Sequence, residues 1–299
     1  MDPLIGNYPA LQQSAAAASR DAQRHYLLAL RTRLVGLLVA AFGGGLVMSL
    51  GSPTVGGWIV LGGFLVAVGS EVWNAIEKAD RTWYQGRAAA ESAKTLAWRY
   101  AVRGESFASS PAADQEFVER VRELLLELGD LLLPSTSTTN QITPAMRAIR
   151  GASFNERKQI YREGRVEAQR RWYSDRANAN RIAARRWTVA LLAFEVLGVL
   201  GGTLVVAGVV EVDVLGLLAA AVAAGTAWVQ AKQFRTLATA YGLTAQELAA
   251  VRDHLDAIES EAEWAMFVGE AEEAISREHT TWRASRGVRL PQEPLGPGT

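Results

Sequence analysis

Between Leu34 and Ser70 lie 37 residues without a charged side chain, and this run constrains the fold more than any other stretch. An apolar helix needs about 20 residues to cross a bilayer core of roughly 30 Å, so the run is twice too long for one crossing and must turn once. Gly51-Ser52-Pro53-Thr54 supplies the turn, because glycine accepts positive φ and proline breaks the helical hydrogen-bond ladder. The pattern predicts spans at Leu34–Leu50 and Val55–Trp73. A second pair begins at Trp187: Trp187–Val210 contains Glu195 as its one charge, Val214–Ala231 contains none, and Glu211-Val212-Asp213 forms the turn between them. Two apolar hairpins of this length favour a bilayer over a buried soluble core. A mean hydropathy of +0.05 agrees.

Flanking charge sets direction, because basic residues gather on the cytoplasmic side of spans. Arg24, Arg31 and Arg33 precede the first span, and Lys78, Arg81 and Arg87 follow the second. Arg176, Arg181, Arg185 and Arg186 precede the third, and Lys232 and Arg235 follow the fourth. The hairpin tips carry no basic residue. Trp58, Trp73, Trp187 and Trp228 fall near span ends, where amphipathic rings anchor at the headgroups. Met1–Ser19 lacks a basic region leading into an apolar run, so it does not read as a cleavable signal peptide. The expectation is a multi-pass protein of the cell (inner) membrane with both termini cytoplasmic.

The chain reads as two units of one plan, each a basic lead-in, an apolar hairpin and a charged helical tail. They occupy residues 20–108 and 154–286, after an N-terminal tail (1–19), separated by a helix and flexible linker (109–153) and followed by a disordered tail (287–299). Each unit crosses twice and returns, which makes a parallel rather than an inverted repeat. Ala75–Arg103 reads as a helix continuing from span two. Ser110-Pro111 opens a helix to about Leu133, and Pro134–Asn140 is the linker. From Asn155 to about Gly208 one helix runs from the cytosol through span three, on the order of 80 Å long at 1.5 Å per residue. Gly242 reads as a helix stop and Thr244-Ala245-Gln246-Glu247 as a capping box, opening a helix to about Arg283. That helix carries an apolar stripe of Leu248, Val251, Leu255, Ile258, Trp264, Phe267, Val268 and Ile275. The fold class is an all-α membrane protein with two transmembrane hairpins and long cytosolic helices forming a stalk or bundle.

Composition narrows the chemistry. Lys+Arg and Asp+Glu are 31 each, so no net charge marks a nucleic-acid binder. The absence of cysteine removes disulfides, thiolate metal sites and thiol nucleophiles. The three histidines, His25, His254 and His279, are scattered, and no phosphate loop, zinc helix or nucleophile elbow is present. We therefore expect no enzyme activity, no catalytic residues, no cofactor and no metal.

Glu195 is the sharpest candidate. It lies about eight residues, or roughly 12 Å, inside span three, with no basic residue in any span to pair with it. An ionised carboxylate there is costly. It either lines a cation pathway in an oligomer or, protonated, hydrogen-bonds a neighbouring helix. Glu71, near the cytoplasmic end of span two, faces the start of span one and reads first as an ion pair with Arg31 or Arg33, second as part of an ion vestibule. Glu211 and Asp213 at the outer tip would concentrate cations at a pore mouth if repeated around an axis. Small residues crowd the spans: Ala41, Gly45 and Ser49 at four-residue spacing, Gly43 and Gly44, Gly198, Gly201 and Gly202, and Ala219–Ala224 with Gly225. They read first as helix-packing stripes.

The string Arg87-Ala88-Ala89-Ala90-Glu91-Ser92-Ala93-Lys94-Thr95-Leu96-Ala97-Trp98-Arg99-Tyr100, with Phe107 soon after, resembles the segment that follows the hairpin in the SLATT proteins. These are the SMODS- and SLOG-associating two-transmembrane effectors of bacteria. The second unit resembles another branch, through Trp172-Tyr173, Asn180 and Trp187 before its hairpin and Phe267-Val268 and Ile275 to Trp282 after it. The resemblance implies a membrane effector of nucleotide-signalled conflict systems that forms pores when phage infection is sensed. It brings no catalytic residues. The chain departs from a simple effector in having two hairpins and no evident nucleotide-sensor domain, so a separate cytosolic sensor or nucleotide signal would supply the trigger. The reading is a homo-oligomeric pore or ion channel gated from the cytosolic side, with the bilayer as partner and no specific nucleic acid. The alternatives are a small-solute transporter and a non-conducting scaffold that recruits a cytosolic partner.

Overall fold

The computed structural model describes residues 2–50, 53–108, 112–129, 131–134, 140–209 and 214–284, and among them every regular element is helical. In chain order these are α1 (Ala10–Leu50), α2 (Pro53–Glu77), α3 (Ala79–Ala101), α4 (Ala113–Glu127), α5 (Pro144–Gly151), α6 (Phe154–Tyr161), a π-helical turn (Arg162–Glu167), α7 (Ala168–Val206), α8 (Val214–Lys232), α9 (Phe234–Asp256) and α10 (Glu261–Ala284). Four helical stretches are long and apolar enough to cross a membrane: Ala10–Val47, Thr54–Glu77, Phe154–Val206 and Leu215–Asp256. All four expected spans fall on them. The expected turn residues Gly51, Ser52, Glu211, Val212 and Asp213, the helix start at Ser110-Pro111, Ser135–Thr139 of the linker and the tail 287–299 lie outside the described residues.

Helix ends depart from the sequence reading in four places. The helix expected over Ala75–Arg103 is interrupted at Lys78, whose φ of 46° turns the chain although its amide still donates to the Asn74 carbonyl at 3.1 Å. The same device recurs after the fourth span, where Gln233 has a φ of 50° and donates to Val229 at 2.9 Å. A left-handed torsion at a residue with a Cβ costs about 1–2 kcal/mol, which packing of the helices on either side must offset. Gly242 does not stop a helix. Tyr241, Thr244, Ala245 and Leu248 form one buried stripe at helical spacing, and that burial carries α9 straight through the capping signature. The break comes later, before α10, where the Glu263 amide donates to Ser260 Oγ at 3.3 Å. α4 ends at Glu127 rather than near Leu133, because Gly129 takes a φ of 53° just beyond it.

The long helix through span three is continuous from Phe154 to Val206. It opens on a complete capping box, with Ser153 and Glu156 satisfying each other's backbone amides. Its one irregularity is the π turn at Arg162–Glu167.

The chain forms two compact units that each draw on both halves of the sequence. Unit 1 comprises Met1–Ser19, Thr82–Arg171 and Thr244–Thr299, and unit 2 comprises Arg20–Arg81 and Trp172–Leu243. Unit 1 has an aromatic core. Trp98 packs edge-on to Tyr161 at 5.8 Å between centroids, and Tyr161 edge-on to Trp264 at 5.6 Å. Around them lie Leu4, Phe107, Phe117, Met146, Leu255 and Val268. Trp264 Nε1 donates to the Val102 carbonyl at 2.7 Å, and the Glu105 amide to the Ala265 carbonyl at 2.8 Å.

Unit 2 contains both apolar hairpins. In the first, the helices touch backbone to backbone: a Cβ added at Gly63 would lie 2.5 Å from the Gly36 carbonyl oxygen, and one at Gly43 would lie 3.0 Å from the Gly56 carbonyl oxygen. The contacting stripe is therefore Gly36-Ala40-Gly43, which includes the expected Gly43, while an added Cβ at the equally expected Gly44 would meet open space. The second hairpin is looser. Leu191 leans on Gly225 and Leu215 on Gly201, and nothing lies near Gly198 or Gly202. None of the most apolar window of α7 is buried within the chain, against about a fifth of that in either helix of the first hairpin. Outward side chains such as Val199 (71% exposed) and Leu65 (64%) suit lipid or another apolar surface rather than water.

Candidate functional site

Glu195 lies on α7 inside unit 2, exposed on the single chain, among Leu192, Phe194, Val196 and Val199, all exposed as well. It makes no hydrogen bond or ion pair with any described residue. Moving a carboxylate into hydrocarbon costs a few kcal/mol or more, so this side chain requires a polar partner, an aqueous path or a proton.

Glu71 accepts an ion pair from Arg33 Nη1 at 2.6 Å, with both side chains about half exposed. Arg31, two residues earlier, turns to Trp228 instead, its guanidinium carbon 4.9 Å from the indole centroid. No hydrogen bond or ion pair joins Glu71 to Glu195. Glu211 and Asp213 lie outside the described residues.

A buried polar cluster lies elsewhere among the described residues, in the core of unit 1. Arg165, on the π turn, donates from Nε to Glu272 Oε1 at 2.8 Å and from Nη2 to Glu272 Oε2 at 2.6 Å. The Tyr161 hydroxyl adds a third bond to Oε1 at 3.0 Å. Arg165 and Glu272 are 1% and 0% exposed. The extra residue of the π turn swings Arg165 inward, and Gly164 beside it leaves room for Pro3 and Trp98, which a Cβ would meet at 2.5 and 3.2 Å. The N-terminal segment seals the cluster: Trp98 Nε1 donates to the Tyr8 hydroxyl at 2.9 Å, and Tyr8 donates to Asp2 at 2.5 Å. Burial raises the Tyr8 phenol well above its ordinary value. Lys94, 5.7 Å from the Tyr8 ring centroid, is lowered by burial and by the nearby Arg165 charge. Arg157, 2% exposed, pairs with Glu261.

The sequence reading passed over this cluster, although a signal was present. Glu272 falls four residues after Val268 and three before Ile275, on the buried stripe of α10, and Arg157, Tyr161 and Arg165 follow one another at four-residue spacing. A carboxylate and two arginines on buried faces must meet partners of opposite charge. The core also accounts for the segment after the first hairpin: Ala93, Ala97, Trp98, Tyr100 and Ala101 are its buried face.

All-helical units with four membrane-length apolar helices define a multi-pass membrane protein. Residues 9–158 match the family described as SMODS and SLOG-associating 2TM effector domain 3, and residues 161–282 match SMODS and SLOG-associating 2TM effector domain 1. The chain belongs to this family of two-transmembrane effectors and carries two of its domains in tandem. No curated protein and no solved structure matches it. The contacts of unit 1 join the two matched domains, since Trp98 and Val102 lie in the first and Tyr161, Trp264 and Glu272 in the second.

Proposed function

We propose that this chain is the subunit of a homo-oligomeric, ion-conducting pore in the cell (inner) membrane, with both termini cytoplasmic and unit 1 receiving the signal that opens it. The observation that carries this reading is Glu195: a carboxylate in mid-span, without a partner among the described residues, on a helix whose apolar window is wholly unburied. A second copy of α7 against this face removes the carboxylate from lipid, and repetition about an axis turns it into a ring of acids lining a cation path. α7 and α8 run unbroken through the described parts of their spans, which favours a pore over a carrier built on discontinuous helices. A cytosolic sensor or a nucleotide signal acting on unit 1, in a defence or stress response, completes the proposal.

The test is ion flux from liposomes holding the purified chain, under potassium, sodium and chloride gradients at two pH values. The expected result is non-saturating cation flux, with selectivity or pH dependence altered in Glu195→Gln while the oligomer persists. Saturable solute flux, or permeation in Glu195→Gln equal to the parent across the titration range, overturns the pathway role of Glu195. An oligomer that falls apart in Glu195→Gln assigns the residue to assembly instead.

A further inference from the structure

The feet of the two hairpins in unit 2 hold a cation arrangement with no role in the pore reading. The Trp228 indole is flanked by two positive groups, the Arg31 guanidinium carbon 4.9 Å and the Lys232 ammonium nitrogen 5.7 Å from one ring centroid. Neither forms an ion pair with a carboxylate among the described residues. Arg33, on the same helix, takes Glu71, and Arg235, three residues beyond Lys232, donates to Thr188 Oγ1 at 3.0 Å rather than to an acid. Two cations held on one aromatic ring repel each other unless an anion lies between them.

The surroundings indicate which anion. Arg31 and Lys232 stand at the charged ends of the first and fourth spans, the level at which headgroups meet helix ends. From Arg31 the same face of α1 continues into the span as Val35, Val39 and Phe42, 57%, 42% and 50% exposed at spacings of four, four and three. That is a charged end followed by an apolar track, the shape of a phospholipid. A guanidinium fits a phosphate through paired N–H donors, the ammonium adds a point charge, and the indole edge suits the headgroup boundary.

We propose that Arg31, Trp228 and Lys232 bind the phosphodiester of an anionic phospholipid between the feet of the two hairpins, with an acyl chain along Val35, Val39 and Phe42. The inference rests on the multi-pass reading and is independent of conduction. Such a lipid ties α1 to α8 and makes the joint dependent on leaflet composition.

The test is native mass spectrometry of the full chain in detergent micelles. The probes are phosphatidylglycerol, phosphatidylcholine and inorganic phosphate. The expected result is retained phosphatidylglycerol, weakened about tenfold by Arg31→Gln or by Lys232→Gln. Arg185→Gln, which removes a juxtamembrane charge that makes no cation–π contact with the indole, should leave binding unchanged. Equal loss in Arg185→Gln reduces the effect to general basicity and overturns the site. So does undiminished lipid binding in the Arg31→Gln/Lys232→Gln double variant. Inorganic phosphate bound as tightly as phosphatidylglycerol makes the site a free-anion site and overturns the lipid assignment. None of these outcomes depends on whether the protein conducts.

Discussion

The Arg165 guanidinium meets both carboxylate oxygens of Glu272 in the core of unit 1, and neither side chain reaches solvent. The pair joins the π turn in the second domain to its own C-terminal helix, under a lid formed by Trp98 of the first domain and Tyr8 of the segment just before it. Removing one partner leaves a buried charge without compensation, which costs on the order of 3–5 kcal/mol, whereas replacing both by apolar groups of similar volume comes close to neutral. Arg165→Met should therefore lower the melting temperature in detergent strongly, and the Arg165→Met/Glu272→Leu double variant should recover most of the loss. A double variant as unstable as the sum of its singles would give zero coupling between the two side chains and overturn the mutual-neutralisation account.

The first hairpin depends on the absence of Cβ atoms at Gly36, Gly43, Gly56 and Gly63. A methyl group at Gly63 meets backbone of Gly36 and Ala40 at 2.5 and 2.6 Å, while one at Gly62 meets nothing within 4 Å. Backbone cannot step aside as a side-chain end can, so Gly63→Ala forces the helices apart. The expected cost is about 1–3 kcal/mol. Gly62→Ala is the matched control and should be neutral or slightly stabilising, since alanine favours the helix. Thermal unfolding of the two variants side by side decides it.

Much of this architecture could be read before any coordinates, for a physical reason: hydrocarbon imposes length and apolarity on a span so strictly that four spans stand out from composition alone. Which small residues touch was less legible. Ala41, Gly45 and Ser49 share a face as plausible as Gly36, Ala40 and Gly43, and the choice rests on the partner helix, which periodicity does not contain. Helix ends were read from local signals that tertiary burial overrode. The Thr244–Glu247 capping signature is swallowed by a buried stripe, while the breaks fall on Lys78 and Gln233, residues with no turn propensity. The π turn was invisible for the same reason. Glu195 was legible as a misplaced charge because nothing else in its span is charged. Glu272 was hidden among Glu270 and Glu273 until the stripe was followed through it.

Alkaline pH should loosen unit 1 at a defined residue. The Tyr100 hydroxyl donates to Asp114 at 2.5 Å, and burial, followed by the Asp114 bond and charge, pushes its pKa up to about 12. A phenol in the unfolded chain ionises near 10. Because the folded state holds the proton more tightly, this contribution is intact below about pH 10 and is lost as pH rises toward 12. At about 1.4 kcal/mol per unit, roughly 2–3 kcal/mol depends on it. Tyr8 is raised in the same direction, so the diagnostic quantity is the slope of melting temperature against pH. Tyr100→Phe should start lower for want of its hydrogen bond and fall less steeply across this window. A slope equal to that of the parent would remove Tyr100 as the titrating group.

The chain has no cysteine, so one introduced thiol reports on the neighbours of α7 without background. Val199 lies one helical turn beyond Glu195 and is 71% exposed on the single chain. If a second copy of α7 covers the Glu195 face, Val199→Cys brings two thiols within the 4.4–6.8 Å Cα separation that a disulfide tolerates, about that of helices in close contact. Mild oxidation of membranes should then yield covalent dimers. Val35→Cys, on the α1 face assigned above to an acyl chain, should stay monomeric under the same treatment although that position is 57% exposed. Adding Glu195→Gln to Val199→Cys separates the two roles of the carboxylate. Undiminished cross-linking with altered flux places Glu195 on the ion path, because the interface survives without its charge. Lost cross-linking places it in the contact, because a carboxylic acid that bridges two helices in lipid holds them together through that hydrogen bond.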